Sequence, residues 1–183
     1  MHQTDYSIRY TSFPRTKPSP EFILTIISVF ISHEKEISTS ILIKGLESNQ
    51  VLKILCSGFQ TLNFEVETGK ISSQKIHRPV FYGENGLPIL RYEIDAYNSE
   101  WKCGLEIEAG RAILGNALFR DLFQAMVMVD VTHLCLAIPN SYKYKSGGKN
   151  MISKDYDKAV AIADALYGHG RNIMPYDLTL IGY

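Results

Sequence analysis

Residues 89–108 alternate apolar and polar side chains on either side of a short polar break, Asn98-Ser99-Glu100. That period of two commits the middle of the chain to an antiparallel strand pair, Ile89–Tyr97 and Trp101–Glu108. Upstream, Pro79-Val80-Phe81-Tyr82 is separated from Ile89 by Gly83-Glu84-Asn85-Gly86, a hairpin turn signal. Downstream, the spacing of Leu114, Leu118, Leu122, Met126 and Val129 predicts a helix over 113–129. The run His133–Pro139 then reads as a short strand buried on both faces. A last helix, with Ser153 as its cap and Tyr156, Ala159, Val160, Ala163 and Leu166 inward, precedes a strand at Asp177–Ile181. An antiparallel pair feeding helical crossovers into further strands makes the expected fold α/β, a central mixed sheet with helices on its faces.

Residues 1–18 read as an extended arm of a single domain covering 1–183. Ser19-Pro20-Glu21 opens a helix, and a second helix starts at Ser48-Asn49 with Val51, Leu52, Leu55 and Phe59 on one face. The apolar stretch Phe22–Ile31 is half the ~20 residues that a membrane span needs. It is expected to be buried on more than one side, and 19–46 is a candidate interface between two copies. The N-terminal residues are polar and proline-spaced, unlike a secretory signal. Cys56, Cys103 and Cys135 lack CxxC spacing and sit in apolar runs, as reduced thiols of a cytoplasmic protein do. Lys+Arg and Asp+Glu number 19 each, so any contact with nucleic acid must come from a local basic surface. His2, His33, His77, His133 and His169 show no zinc-ligand spacing.

The chemistry-bearing residues are Asp95, Glu106 and Glu108. Residues two apart on a strand share a face, so Glu106 and Glu108 point the same way. A tight turn near Glu100 brings Asp95 opposite Glu106 within one residue of register. Pairing 95 with 106 gathers three acids on one face, where like charges repel and a divalent cation such as Mg²⁺ offsets the cost. The same alternation also fits a one-sided sheet whose charged face meets water.

Ile94-Asp95, Leu105-Glu106-Ile107-Glu108, Phe119-Arg120-Asp121-Leu122 and the strand Leu134–Ile138 together resemble the PD-(D/E)xK nuclease superfamily, in particular its BglII/BamHI-type restriction endonucleases. The likeness spans roughly residues 90–140. It departs from the usual pattern at Glu108, where a lysine is common, and at Ile94, where a proline is common. The resemblance implies a restriction-endonuclease-like core and hydrolysis of duplex DNA by a homodimer. It also implies Mg²⁺, with Mn²⁺ as a substitute, held by Asp95, Glu106 and the backbone carbonyl of Ile107. Glu108 would then act on the attacking water, with Glu47 as a possible fourth acid. Arg111 and the lysines of the loop Tyr142–Asn150 (Lys143, Lys145 and Lys149) are the expected phosphate contacts. A repair or structure-specific nuclease of the same fold, and a non-catalytic α/β binding protein, remain the alternatives.

Overall fold

The computed structural model describes residues 6–110, 112–170 and 174–183. The chain begins with β1 (Arg9–Phe13), α1 (Glu21–Ser32), the short α2 (Glu34–Ile37), α3 (Ser48–Thr61) and β2 (Glu65–Val66). A hairpin, β3 (Ile76–Tyr82) and β4 (Pro88–Ile94), leads into β5 (Ala96–Asn98) and β6 (Cys103–Ile107). Then come α4 (Ala117–Val127), β7 (His133–Ile138), a second hairpin of β8 (Tyr142–Ser146) and β9 (Lys149–Ser153), α5 (Asp155–Gly168) and β10 (Asp177–Gly182).

Six strands form the central sheet in the order β1-β10-β7-β6-β5-β2. β6, β7 and β10 run parallel, joined by crossovers through α4 and α5, while β1, β5 and β2 are antiparallel to their neighbours. The sheet is therefore mixed, as expected from an antiparallel pair followed by helical crossovers. Alternation along the strands splits the core into two layers. On one face Leu105, Ile107, Cys135 and Ala137 meet Ile26 and Phe30 of α1 and Leu55 and Phe59 of α3. On the other, Leu134, Leu136, Ile138, Leu178 and Leu180 meet Leu118 and Leu122 of α4 and Ala159 and Ala163 of α5. Gly104, Glu106 and Glu108 face this second layer. A side chain at Gly104 would run into Ile94, whose Cδ1 lies 2.4 Å from where a Cβ would stand.

Several expectations are corrected. The arm is in part a sheet edge: β1 pairs with β10 from Arg9↔Gly182 to Phe13↔Leu178, a partner at the far end of the chain. The first residue outside α1 is Pro20, not Ser19. α1 buries Ile23, Ile26, Ile27, Val29 and Phe30, as expected of a helix covered on more than one side, and leaves Leu24 exposed. The strand expected over 89–97 breaks at Asp95, with β4 in the hairpin and β5 in the central sheet. α4 starts four residues later than expected and buries Leu118, Asp121, Leu122 and Ala125, leaving Leu114 and Val129 exposed. The Tyr/Lys/Gly loop is a hairpin, turned at Gly147 and Gly148 with φ of +55° and +77°, values that glycine adopts at no steric cost. Ser153 ends β9 rather than capping α5, and its hydroxyl bonds Asp155 in the first turn. Among the described residues no helix is long and apolar enough to cross a membrane.

Candidate active site

Asp95 stands where the chain passes from the β3–β4 hairpin into the sheet. β5 pairs with β6 as Ala96↔Leu105 and Tyr97↔Gly104, a register that continues to Asp95 opposite Glu106. On its other side β5 pairs with β2 as Val66↔Ala96, which continues to Glu67 opposite Asp95. The Glu67 N–H donates to the Asp95 carbonyl at 2.9 Å and confirms that step. Glu67, Asp95 and Glu106 thus form one row of acids across three strands, on the face turned toward α4. Cross-strand like charges destabilise a sheet unless something offsets them.

The backbone fixes this row. The Glu108 N–H donates to the Ala137 carbonyl of β7 at 2.9 Å. Successive residues of a strand direct their peptide groups to opposite sides, so Ile107 directs its N–H and C=O toward β5. The Ile107 N–H donates to Asp95 Oδ2 at 2.8 Å and holds that carboxylate against β6. Tyr183 donates its hydroxyl to the Glu108 carbonyl at 2.6 Å, pinning the end of β6.

An open, polar cleft of about 510 Å³ lies over the row, lined by Glu67, Asp95 and Glu106 with Lys75, Arg120 and Asp121 among others. Glu108 leans to its side: Arg120 reaches Glu108 Oε1 at 2.8 Å and Asp121 Oδ1 at 2.9 Å. Burial raises the carboxyls of Asp95, Glu106, Glu108 and Asp121. Asp95 is pushed up to about 6, first by burial and then by Glu67 and Asp121, with the Ile107 N–H opposing. Glu106 is held well above the ordinary carboxylate range by burial, then by Asp95, Asp121 and Glu108. Glu108 rises to about 8, first through burial and then through the neighbouring Asp121. Asp121 is raised by burial, with Glu108 and Arg120 opposing. Asp121 Oδ2 is buried without a hydrogen-bond partner. Crowded acids of raised pKa in a cleft are a recurrent mark of a functional site.

The arrangement suits a hard cation in its donor chemistry: two carboxylates, Asp95 and Glu106, and a backbone carbonyl, Ile107, all oxygen. Among the described residues no three His, Cys, Asp or Glu side chains gather closely enough to hold a metal ion between them. Glu108, grouped with Asp95 and Glu106 from the sequence, shares their face but is engaged with Arg120. Glu47 does not join them. It precedes α3, where its N–H donates to Gln50 Oε1 at 3.0 Å, and it lines a separate hollow of about 600 Å³ that contains none of the clustered acids.

Glu67 and Asp121 are the acids that sequence reasoning missed. The signal for Asp121 is a single carboxylate on the apolar face of α4; for Glu67 it is the alternation Phe64-Glu65-Val66-Glu67. Of the expected phosphate contacts, Arg111 lies outside the described residues. Lys143, Lys145 and Lys149 are exposed on the β8–β9 hairpin, with Lys143 and Lys145 on one face and Lys149, opposite Ser146, on the other. The hairpin seats beside the end of β6, since a Cβ at Gly110 would lie 2.8 Å from the Tyr142 ring.

No protein-family model matches the chain, and no curated protein matches it in sequence. Among solved structures it is similar to restriction endonuclease BglII complexed with a DNA 16-mer, with a TM-score of 0.52 at 12% identity over 96% of this chain and 75% of that one. Free BglII gives 0.49 at 12% identity, over 96% of this chain and 78% of that one. The mixed sheet with its flanking helices is thus a restriction-endonuclease-like fold.

Proposed function

We propose that this chain is a PD-(D/E)xK-type endonuclease that hydrolyses phosphodiester bonds of duplex DNA with Mg²⁺, or Mn²⁺ in its place, as a restriction enzyme does. The observation that carries this reading is the row Glu67–Asp95–Glu106 with the Ile107 peptide beside it, under an open cleft, on a fold similar to that of a DNA-complexed restriction endonuclease. Asp95, Glu106 and the Ile107 carbonyl would hold the ion. When bound, such an ion acidifies a water and stabilises the charge that builds up on the phosphate oxygens.

The remaining work falls to the chain itself. Asp95 is oriented by the Ile107 N–H, so its second oxygen is free to face the cleft. Glu108 in its ionised form acts as a general base on the attacking water, and because burial raises it to about 8, cleavage rises toward that pH. Arg120 keeps Glu108 and Asp121 in register with the cleft. Lys143, Lys145, Lys149 and Arg111 contact phosphates and position the duplex. Cutting both strands of a two-fold symmetric site calls for a homodimer, acting in the cytoplasm.

The test is incubation of supercoiled plasmid with the protein and Mg²⁺, beside EDTA controls and the Asp95→Ala and Glu106→Ala variants. Metal-dependent linearisation at fixed positions, abolished in both variants, is the expected result. Cutting confined to flaps or nicks would favour a structure-specific nuclease, and DNA binding without cutting a non-catalytic protein. Nicking that persists in both variants would remove the site.

A further inference from the structure

We infer that Lys75 is a phosphate-contacting catalytic residue of this cleft, supplying the positive charge that Glu108 cannot; the inference rests on the nuclease reading. The β3–β4 register ends at Ile76↔Ile94, so Lys75 directly precedes the hairpin and Asp95 directly follows it. Asp95 keeps Glu106 and Glu67 as its cross-strand neighbours, and Lys75 reaches the same row through Glu67. The Lys75 ammonium lies 2.7 Å from Glu67 Oε2 and 3.6 Å from Glu93 Oε2, and lines the same cleft as Asp95 and Glu106.

An anionic phosphodiester entering this cleft meets Glu67, Glu93, Asp95, Glu106 and Asp121. A cation must reach the phosphate, and the residues at hand are not equivalent. The Arg120 guanidinium is taken up by Glu108 and Asp121. Arg91 is exposed, where water screens its charge. Lys75 is only 19% exposed and is anchored at its inner side by Glu67, whose side chain is 7% exposed. Its outer partner, Glu93, is 57% exposed and bonds at longer range, so that contact contributes little and gives way to a phosphate oxygen. An ammonium on a flexible four-carbon stem makes that exchange without disturbing the Glu67 anchor.

The experiment compares the wild type with Lys75→Met and Lys75→Arg in three readouts: single-turnover plasmid cleavage with Mg²⁺, calorimetric Mn²⁺ affinity, and melting temperature. Loss of one charge-stabilising donor costs on the order of 100-fold or more in the cleavage step. The expected result is that loss in Lys75→Met, substantial recovery in Lys75→Arg, and Mn²⁺ affinity equal to or tighter than that of the wild type, since a competing cation has left an acidic cleft. Wild-type cleavage with Lys75→Met undiminished overturns the role of Lys75 alone. Loss of cleavage, metal affinity and melting temperature together in both variants also overturns it, because Lys75 would then be a structural partner of Glu67. A wild type that binds Mn²⁺ yet cuts no DNA overturns the nuclease reading and this inference with it.

Discussion

Replacing Asp95 by Asn should stabilise the metal-free protein. In the folded chain this carboxyl titrates near 6, against 3.8 ordinarily, because it is buried and faces Glu67 and Asp121. Between those two values the folded chain binds more protons than the unfolded one, so stability falls as pH rises. The penalty is absent below about pH 3.8 and fully present above about pH 6. At about 1.36 kcal/mol for each pH unit separating the two titrations, it amounts to about 3 kcal/mol. Asn keeps an oxygen to accept the Ile107 N–H, so the substitution removes the charge while preserving the 2.8 Å hydrogen bond. For a chain of this size the gain corresponds to about 6–12 °C in melting temperature. Urea unfolding in EDTA at pH 8 and at pH 4 measures it directly: the variant should be the more stable protein at pH 8, with the advantage shrinking at pH 4. A variant less stable than the wild type at pH 8, or a gain independent of pH, would refute the account of this carboxyl.

Two further outcomes follow from the packing and the surface. Gly104→Ala should cost about 1–3 kcal/mol in urea unfolding through overpacking, because Ile94, Val131 and Leu134 already fill the space beside it; an unchanged midpoint would mean that Ile94 moves aside freely. Replacing Lys143, Lys145 and Lys149 by Ala should flatten the dependence of duplex-DNA affinity on salt, by about 0.9 in logarithmic slope for each lysine that neutralises a phosphate. An unaltered slope in fluorescence anisotropy would remove the β8–β9 hairpin from the DNA interface.

How much of this was legible follows from the range of each pairing. Asp95 and Glu106 could be aligned because a tight turn joins their strands, and the register extends from Ala96↔Leu105 as the short connector dictates. Their neighbours Glu67 and Lys75 could not. β2 reaches Asp95 across a long intervening segment, and no local rule says which strand a two-residue element such as Glu65–Val66 will join. The β3–β4 hairpin carries a turn signal, but the apolar run that marks its first strand starts at Pro79, which leaves Lys75 outside it. The same reason hid β1, whose partner β10 closes the chain. The helix over 113–129 was misphased because Leu114 and Val129 extend the apolar spacing beyond the real element. The buried face runs through Leu118, Asp121, Leu122 and Ala125, and a carboxylate within it is read from sequence as an interruption. The segment Tyr142–Asn150, expected as a loop, carries paired glycines at Gly147 and Gly148. Flanked by alternating Tyr and Lys, they instead make the turn of a hairpin.

Titration with Mn²⁺ followed by electron paramagnetic resonance decides whether the acid row is a site for a hard divalent cation. At pH 8 the wild type should take up Mn²⁺ and release it to excess Mg²⁺, while Glu106→Gln and Asp95→Asn bind at least tenfold more weakly, about 1.4 kcal/mol each. Free Mn²⁺ signal undiminished by the wild type, or uptake identical in all three proteins, would contradict it.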